Sequence, residues 1–244
     1  MKIIRRTRVC GCCGKKFEGV IPVSYYRNNY GLDNKPENPN EVPFVEKCPV
    51  CGYCSFSIEK RISEDGRKVV MSKEYQSVLH AGNEDETIRR LWAMLRMPEE
   101  LMQKIYIHLR LCWIYEDTGK NAEALNERTI AVEQMEERFR EKQNSGIPVE
   151  EMMIYIDCLR QLSKWKEVNE IIGEVDDEIK SQLNSEHLIR RIFEFEKKAV
   201  EMHDQTPQYR GGVEIWENLF WILVMYFLHI DIGMVHMRIC RMMN

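Results

Sequence analysis

Two short cysteine-rich turns are the residues of this sequence that could do chemistry. Cys10 and Cys13 lie in a Cys-x-x-Cys-Gly motif, and Cys48 and Cys51 lie in a second motif of the same form after a spacer of 34 residues. Four thiolates meet the tetrahedral ligand demand of a structural Zn²⁺ ion. The glycine after each pair permits a positive φ, so backbone N–H groups can turn towards the sulfurs. The motifs therefore predict one closed Zn²⁺ site with Cys10, Cys13, Cys48 and Cys51 as ligands.

Other interpretations of these cysteines stay open at this point. The spacer is longer than the roughly 15 to 20 residues of the commonest paired pattern, and the alternatives are free thiols or a disulfide in an exported protein. Cys12 is either a spare thiol or an alternative ligand if the first turn shifts by one residue. Cys54 lies just beyond the second turn. We expect Cys12 and Cys54 to lie around the site without binding the metal.

Length, composition and charge bound the class of protein. The 244 residues are 44% hydrophobic, which suffices for one large or two small domains. Nine cysteines and a basic N-terminus without an apolar segment predict a reducing, cytoplasmic location. The net charge of −4 is uneven, because residues 1–16 contain six Lys or Arg and no acid. This basic arm could bind phosphate, or it could be a solvated, frayed terminus.

The first quarter of the chain must position the cysteines. Segments 3–9 and 16–23 have the composition of strands flanking the first turn. A loop over 25–43, rich in Asn, Pro and Gly, follows them, and its tyrosines could form a contact surface or cover the zinc site. Glu64-Asp65-Gly66 carries an Asp-Gly hairpin signal between two short strands. We therefore predict a zinc-ribbon-like β module over residues 1–71.

The rest of the chain reads as helical. From Ser72 onward the apolar residues recur with a period of about 3.6. The pattern predicts helices that open at Ser72, near Asn83 and at Pro98, and the third of these ends at Gly119. The next helix is expected over 121–142. These four helices therefore form the first part of the predicted helical half.

The helical segments form pairs. The pairs over 98–142 and 150–175 place small and aromatic residues where a tetratricopeptide repeat needs them, and a further helix over 186–203 would cap the array. The predicted fold is thus α+β and mainly α, with a tetratricopeptide-like antiparallel helical array over residues 72–212. A generic bundle of antiparallel hairpins is the alternative.

The C-terminal segment, residues 213–244, contains an unbroken run of ten apolar residues over 219–228. A membrane span needs about twenty. We expect an apolar C-terminal helix that packs onto the array or joins a second protomer as a homo-oligomer. Weak membrane association through 219–230 and an unnatural tail are the alternatives.

The order of four motifs resembles a known family. Cys-Gly-Lys-Lys-Phe follows the first turn, Gly-Leu-Asp-Asn-Lys-Pro lies at 31–36, Cys-Pro-Val-Cys-Gly-Tyr at 48–53 and Ser-Lys-Glu-Tyr at 72–75. Over roughly residues 5 to 210 this arrangement resembles a bacterial family described as domain of unknown function 2225. The resemblance implies zinc on the four cysteines named above and no known catalytic residue. Cys12 and Cys54 depart from the family pattern and leave the ligand assignment open.

Catalytic motifs do not stand out in the sequence. The six histidines are scattered, without His-Glu-x-x-His spacing, and there is no glycine-rich phosphate loop. Four thiolates would close the coordination shell of zinc and leave no position for a substrate. We therefore expect a zinc-binding protein that is not an enzyme.

Two kinds of binding protein remain. The first is an adaptor whose helical groove binds an unknown protein or peptide, with residues such as His108, Arg110 and Asp157 on its exposed sides. The alternative is a nucleic-acid-binding zinc-ribbon protein that uses the basic arm and the tyrosine-rich loop. Residues 61–244 carry 25 basic and 33 acidic side chains. That excess of negative charge would repel a polyanion, so the sequence favours the adaptor.

Overall fold

The computed structural model is mainly helical, with a small antiparallel sheet near the N-terminus. The described residues belong to one compact unit, Met1–Gly211. Within them, no helix has the length and apolar character that a membrane crossing requires. The predicted C-terminal helix over 213–244 lies outside the described part of the chain. The structure describes residues 3–22, 30–37, 44–82, 84–142, 147–182 and 187–207.

Two short antiparallel strand pairs carry the cysteine turns. Strands β1 (Ile3–Val9) and β2 (Lys16–Pro22) form a β-ribbon, and strands β3 (Glu46–Lys47) and β4 (Cys54–Ser55) form the second pair. Arg8 on the ribbon donates to both carboxylate oxygens of Glu46, at 3.1 and 2.6 Å, and to Glu59 at 2.5 Å. These ion pairs connect the first strand pair to the second.

Eight helices follow within the described residues. All but the first follow the order predicted for the helical half, and Ser72 caps its helix by accepting a hydrogen bond from the Tyr75 N–H group at 3.2 Å. Their bounds are α1 Glu64–Met71, α2 Lys73–His80, α3 Glu86–Leu95, α4 Leu101–Asp117, α5 Asn121–Lys142, α6 Val149–Gln161, α7 Trp165–Gln182 and α8 Leu188–Glu201.

The predicted hairpin around Glu64-Asp65-Gly66 is wrong, because these residues begin helix α1. The Ser63 hydroxyl oxygen accepts a hydrogen bond from the Gly66 N–H group at 3.0 Å and caps the helix. Two acidic residues in the first turn also favour the helix through its dipole. The cap and the dipole together outweigh the turn preference of Asp-Gly at this place.

The cysteine turns and the helices share one core. The buried cluster contains Cys10 and Cys48 from the turns together with Tyr75, Leu91 and Ile107 from helices α2, α3 and α4. Burying these apolar groups contributes about 25 cal/mol for each Å² removed from water. The folding of the turns is therefore coupled to that of the first four helices. The division of the chain at residues 71 and 212 stays a prediction.

A segment between the two cysteine turns also packs against the helices. We call residues 30–37 the inter-turn segment. Its Asp33 carboxylate accepts a hydrogen bond from the Trp113 indole N–H group at 2.8 Å and pairs with Arg128 at 3.5 Å. Lys35 forms ion pairs with Glu116 at 2.9 Å and Asp117 at 2.7 Å. The segment is thus fastened to helices α4 and α5 by charged contacts.

A second group of buried charges joins helices α6 and α8. The Arg160 guanidinium donates to Asp157 at 2.5 Å and to Glu196 at 3.1 Å, and all three side chains are fully buried. The same guanidinium donates to the Asp204 carbonyl oxygen and, at 2.9 Å, to that of Thr206. Arg160 therefore ties helix α6 to the chain beyond helix α8.

In this group a single cation, Arg160, pairs with two carboxylates, Asp157 and Glu196. Burial, followed by the nearby Asp157 carboxylate, raises the pKa of Glu196 well above its usual value, although Arg160 opposes the shift. The Glu196 Oε2 atom also lacks a hydrogen-bond partner among the described residues. Glu196 therefore tends to keep its proton in the folded state.

The contact between the inter-turn segment and the helices should be measurable by substitution. Asp33→Asn keeps the shape of the side chain but removes the charge that Arg128 and the Trp113 indole face. We expect the free energy of unfolding in urea to fall by about 2–3 kcal/mol. The exposed Glu37→Gln serves as the control and should be neutral. A loss from Asp33→Asn no larger than that of the control would contradict a stabilising role.

The Glu196 carboxyl group should make stability depend on pH. Because its pKa is raised on folding, the folded state binds more protons than the unfolded state between the usual pKa and the folded one. Stability should therefore fall as the pH rises through that window. Glu196→Gln should flatten this dependence, and the exposed Glu194→Gln should not. Parallel curves of unfolding free energy against pH for wild type and Glu196→Gln would show that Glu196 is not the group involved.

Candidate metal centre

The two cysteine turns have the same backbone geometry. In the first, the Cys10 N–H group donates to the Lys15 carbonyl oxygen at 3.0 Å and the Gly14 N–H group to that of Cys10 at 2.9 Å. In the second, Cys48 and Gly52 repeat the pattern at 2.8 and 2.9 Å. Each glycine has a positive φ, 70° and 78° respectively. Because a side chain there would be strained, the glycine is what lets each turn close.

The four predicted cysteines lie together. Their Sγ atoms are all within 4.8 Å of one another, and this is the one group of potential metal ligands found among the described residues. The Cys10 and Cys51 Sγ atoms are 3.7 Å apart, and those of Cys13 and Cys48 are 3.8 Å apart. Four sulfurs at about 2.3 Å from a tetrahedral ion would be separated by about 3.8 Å. The group could therefore hold a metal ion.

Burial affects how these thiols ionise before a metal binds. Burial raises the pKa of the Cys10 thiol to about 11 and raises the pKa of Cys51 further. A metal ion would bind the thiolates, so it must displace these protons. Metal binding at this site should consequently strengthen with rising pH.

The two additional cysteines lie beside the group. Cys54 is buried, its Sγ atom donates to the Gly52 carbonyl oxygen at 3.3 Å, and its N–H group donates to the Tyr75 hydroxyl oxygen at 2.9 Å. Cys12 is also buried, and its N–H group donates to the Cys10 Sγ atom at 3.4 Å. These contacts support the expectation that Cys12 and Cys54 surround the centre while the other four cysteines form it.

Close backbone packing holds the first turn in place. The Gly11 N–H group donates to the Ile58 carbonyl oxygen at 2.8 Å, and the Ile62 N–H group donates back to Gly11 at 3.4 Å. A Cβ atom at Gly11 would lie 1.8 Å from the Lys60 carbonyl oxygen. Only glycine fits here, and sequence reasoning missed this role because the contact spans about fifty residues of chain.

Helix α2 supports the second turn. The Gln76 side-chain amide donates to the Cys51 carbonyl oxygen at 3.0 Å and to that of Val70 at 2.7 Å. The amide therefore connects a cysteine of the candidate centre to the end of helix α1. The Ser-Lys-Glu-Tyr-Gln run at the start of helix α2 contains the residue with this role. The periodicity of the run predicts a helix but does not predict the contact.

The predicted groove residues are not exposed, so that prediction is wrong. His108 lies 2.6 Å from Glu127, and the Arg110 guanidinium lies over the Phe56 ring at 3.8 Å from its centroid. Asp157 is fully buried beside Arg160. Helices α4 and α6 are interior helices, and a helical period reveals an apolar face without revealing that the polar face is covered too.

The other predicted contact residues have mixed outcomes. The basic arm is not frayed from residue 3 onward, because it forms strand β1, and its Arg8 is held in ion pairs. Tyr30 pairs with Pro36 in an isolated bridge within the inter-turn segment. The remaining residues proposed for the tyrosine-rich contact surface, Tyr25, Tyr26 and Arg27, lie outside the described residues.

Comparison of the chain with family models, with curated proteins and with solved structures finds no match. The assignment of the chain to the domain of unknown function 2225 family therefore stays a prediction. What the candidate centre could do must be argued from its own geometry.

The metal content of cysteine variants tests the centre. Cys13→Ser and Cys48→Ser each remove one of the four grouped sulfurs, so we expect the purified protein to lose its metal and to melt at a lower temperature. Cys12→Ser and Cys54→Ser are the matched controls and should keep one metal ion per chain. Elemental analysis and circular dichroism measure both effects. Equal metal loss in all four variants would contradict the assignment.

Proposed function

We propose that this protein is a cytoplasmic zinc-binding adaptor that binds another protein and catalyses no reaction. The observation that carries the proposal is the group of four cysteine Sγ atoms within 4.8 Å of one another, packed into the same core as the first helices. Zinc suits four sulfur ligands at tetrahedral spacing. The ion would be structural, and the first helices would pack against the two turns that bind it.

The donor set favours a structural ion over a catalytic one. Catalytic zinc keeps a coordination position for water or substrate and is commonly held by histidine or carboxylate ligands. Four thiolates fill the tetrahedral shell. The thiols that flank the group, Cys12 and Cys54, are buried, and the Cys54 thiol donates to the Gly52 carbonyl oxygen. The site therefore supports folding better than it supports chemistry.

The helical half offers surfaces for a partner. Consecutive helices pack in the order α4, α5, α6 and α7, which is compatible with a tetratricopeptide-like array. Since helices α4 and α6 are interior, we place the partner surface on the outer helices α5 and α7. Among their exposed charged residues the acids outnumber the cations, and the exposed acids are Glu123, Glu133, Glu137, Glu141, Glu167, Glu170, Glu174 and Asp177.

The charge of this surface indicates the kind of partner. A partner segment rich in Lys or Arg would be attracted to this acidic surface. The opposite charges would raise the association rate with such a partner, and the surface would repel acidic proteins. The exposed Leu125 on helix α5 adds apolar area beside these acids. The proposed partner is thus a protein or peptide with a basic, partly apolar face.

A charge-reversal variant of the full-length chain tests the adaptor. Glu133→Lys combined with Glu137→Lys changes the exposed surface of helix α5 without touching the core. We expect this variant to capture less of a basic partner from nuclease-treated lysate than wild type, at about physiological salt. Glu64→Gln on helix α1, an exposed acid outside the proposed surface, is the control.

The outcome that would reject the adaptor is also defined. If wild type, the helix α5 variant and the control retained the same proteins in the same amounts, binding through the acidic face of helix α5 would be excluded. The metal content of each protein must be equal for the comparison to count. A failed adaptor test would leave the metal centre unaffected, because the cysteine variants test that separately.

A further inference from the structure

The charge of the chain is divided between its two halves. Residues 1–71 carry 13 Lys or Arg and 8 Asp or Glu, whereas residues 72–244 carry 22 and 31. The part that contains the cysteine turns is therefore positive and the part with helices α2 to α8 is negative. Such an asymmetry is typical of proteins that bind a polyanion through one part of their surface.

Within the positive half, four exposed cations lie on or beside the β-ribbon. Arg5, Arg6, Lys15 and Lys16 are all exposed, and none of them forms an ion pair with a described residue. Arg8 differs from them, because its guanidinium is held by Glu46 and Glu59. The ribbon is thus fixed by one arginine and presents four other cations to solvent.

The register of the ribbon spreads these cations along its length. Arg5 pairs with Val20 and Val9 with Lys16, so Arg5 and Lys16 lie on the same face of the ribbon. Strands of seven residues span about 24 Å, which corresponds to about seven phosphates at 3.4 Å per strand of a duplex. Lys15 lies at the end of the ribbon, where the first cysteine turn closes.

We propose that the β-ribbon is a binding surface for the phosphate backbone of nucleic acid. Arg5 and Lys16 lie on one face of the ribbon and Arg6 lies on the other, and arginine binds phosphate through two parallel hydrogen bonds. Contacts to phosphate carry no sequence information, so we expect binding without sequence preference, and the acidic helices keep the contact on the ribbon.

Nucleic acid fits the ribbon better than an acidic protein segment does. The exposed cations lie on both faces of the ribbon and at its turn end, and a phosphate backbone carries a charge at every step with which several of them can pair. The ribbon has a single exposed acid, Glu18, among its described residues to oppose this charge.

Binding of labelled oligonucleotides to the full-length protein tests this surface. The probes are a fluorescent oligothymidine of about 20 nucleotides and a duplex of equal length, read by fluorescence anisotropy. With four phosphates neutralised, the affinity should fall about 50-fold for the single strand and about 150-fold for the duplex between about 50 and 200 mM NaCl. The variant with Arg5, Arg6, Lys15 and Lys16 changed to alanine should lose most of the binding at the lower salt concentration and most of the salt dependence.

A charge-matched variant separates the ribbon from net charge. It changes two lysines and two arginines that are exposed on the helices, namely Lys73, Arg140, Arg191 and Lys198, to alanine. This control should bind the probes as wild type does, and both variants should keep the wild-type metal content and helical signal. Loss of binding in the control equal to that in the ribbon variant would overturn the proposal. So would salt-independent binding, or tighter binding of a polyglutamate peptide than of oligothymidine.

Discussion

The structure depends on bringing two cysteine turns together across a spacer of 34 residues. Closing a flexible loop of that length costs about 3 kcal/mol of chain entropy, which a four-sulfur metal site can offset several times over. Closure also fixes the neighbours of each turn. The first turn packs against the backbone around Lys60, and the second contacts Gln76 on helix α2. The helices are thus built onto a base that the cysteines hold closed.

Buried charges determine how the helices sit on that base. Asp33 with Arg128 fastens the inter-turn segment to helices α4 and α5, and Arg160 fastens helix α6 to helix α8. A buried ion pair adds little net stability compared with apolar side chains of the same size, but removing one partner is costly. Loss of one member of these pairs would therefore cost more than the intact pair contributes, while the apolar core supplies most of the stability.

The parts of the fold that were predictable are those fixed by local sequence. The Cys-x-x-Cys-Gly turns, the Ser72 cap and the helix over 121–142 each depend on residues a few positions apart. The hairpin prediction at Glu64 failed because a capping serine one residue earlier competed with the Asp-Gly signal. The groove prediction failed for another reason. Whether His108 or Asp157 faces water depends on segments far away in the chain, and no local pattern reports that.

The inter-turn segment and helix α5, which it contacts, lie far apart in the sequence. This separation has a consequence during protein synthesis. Asp33 and Arg128 are 95 residues apart, so the ribosome completes the cysteine turns well before it makes helix α5. At roughly 5–20 residues per second, the wait between Cys51 and Arg128 lasts about 4–15 s. During that interval a nascent chain has all four thiols but lacks the partner for Asp33. A metal ion bound by the four cysteines at that stage would precede the docking of the late helices.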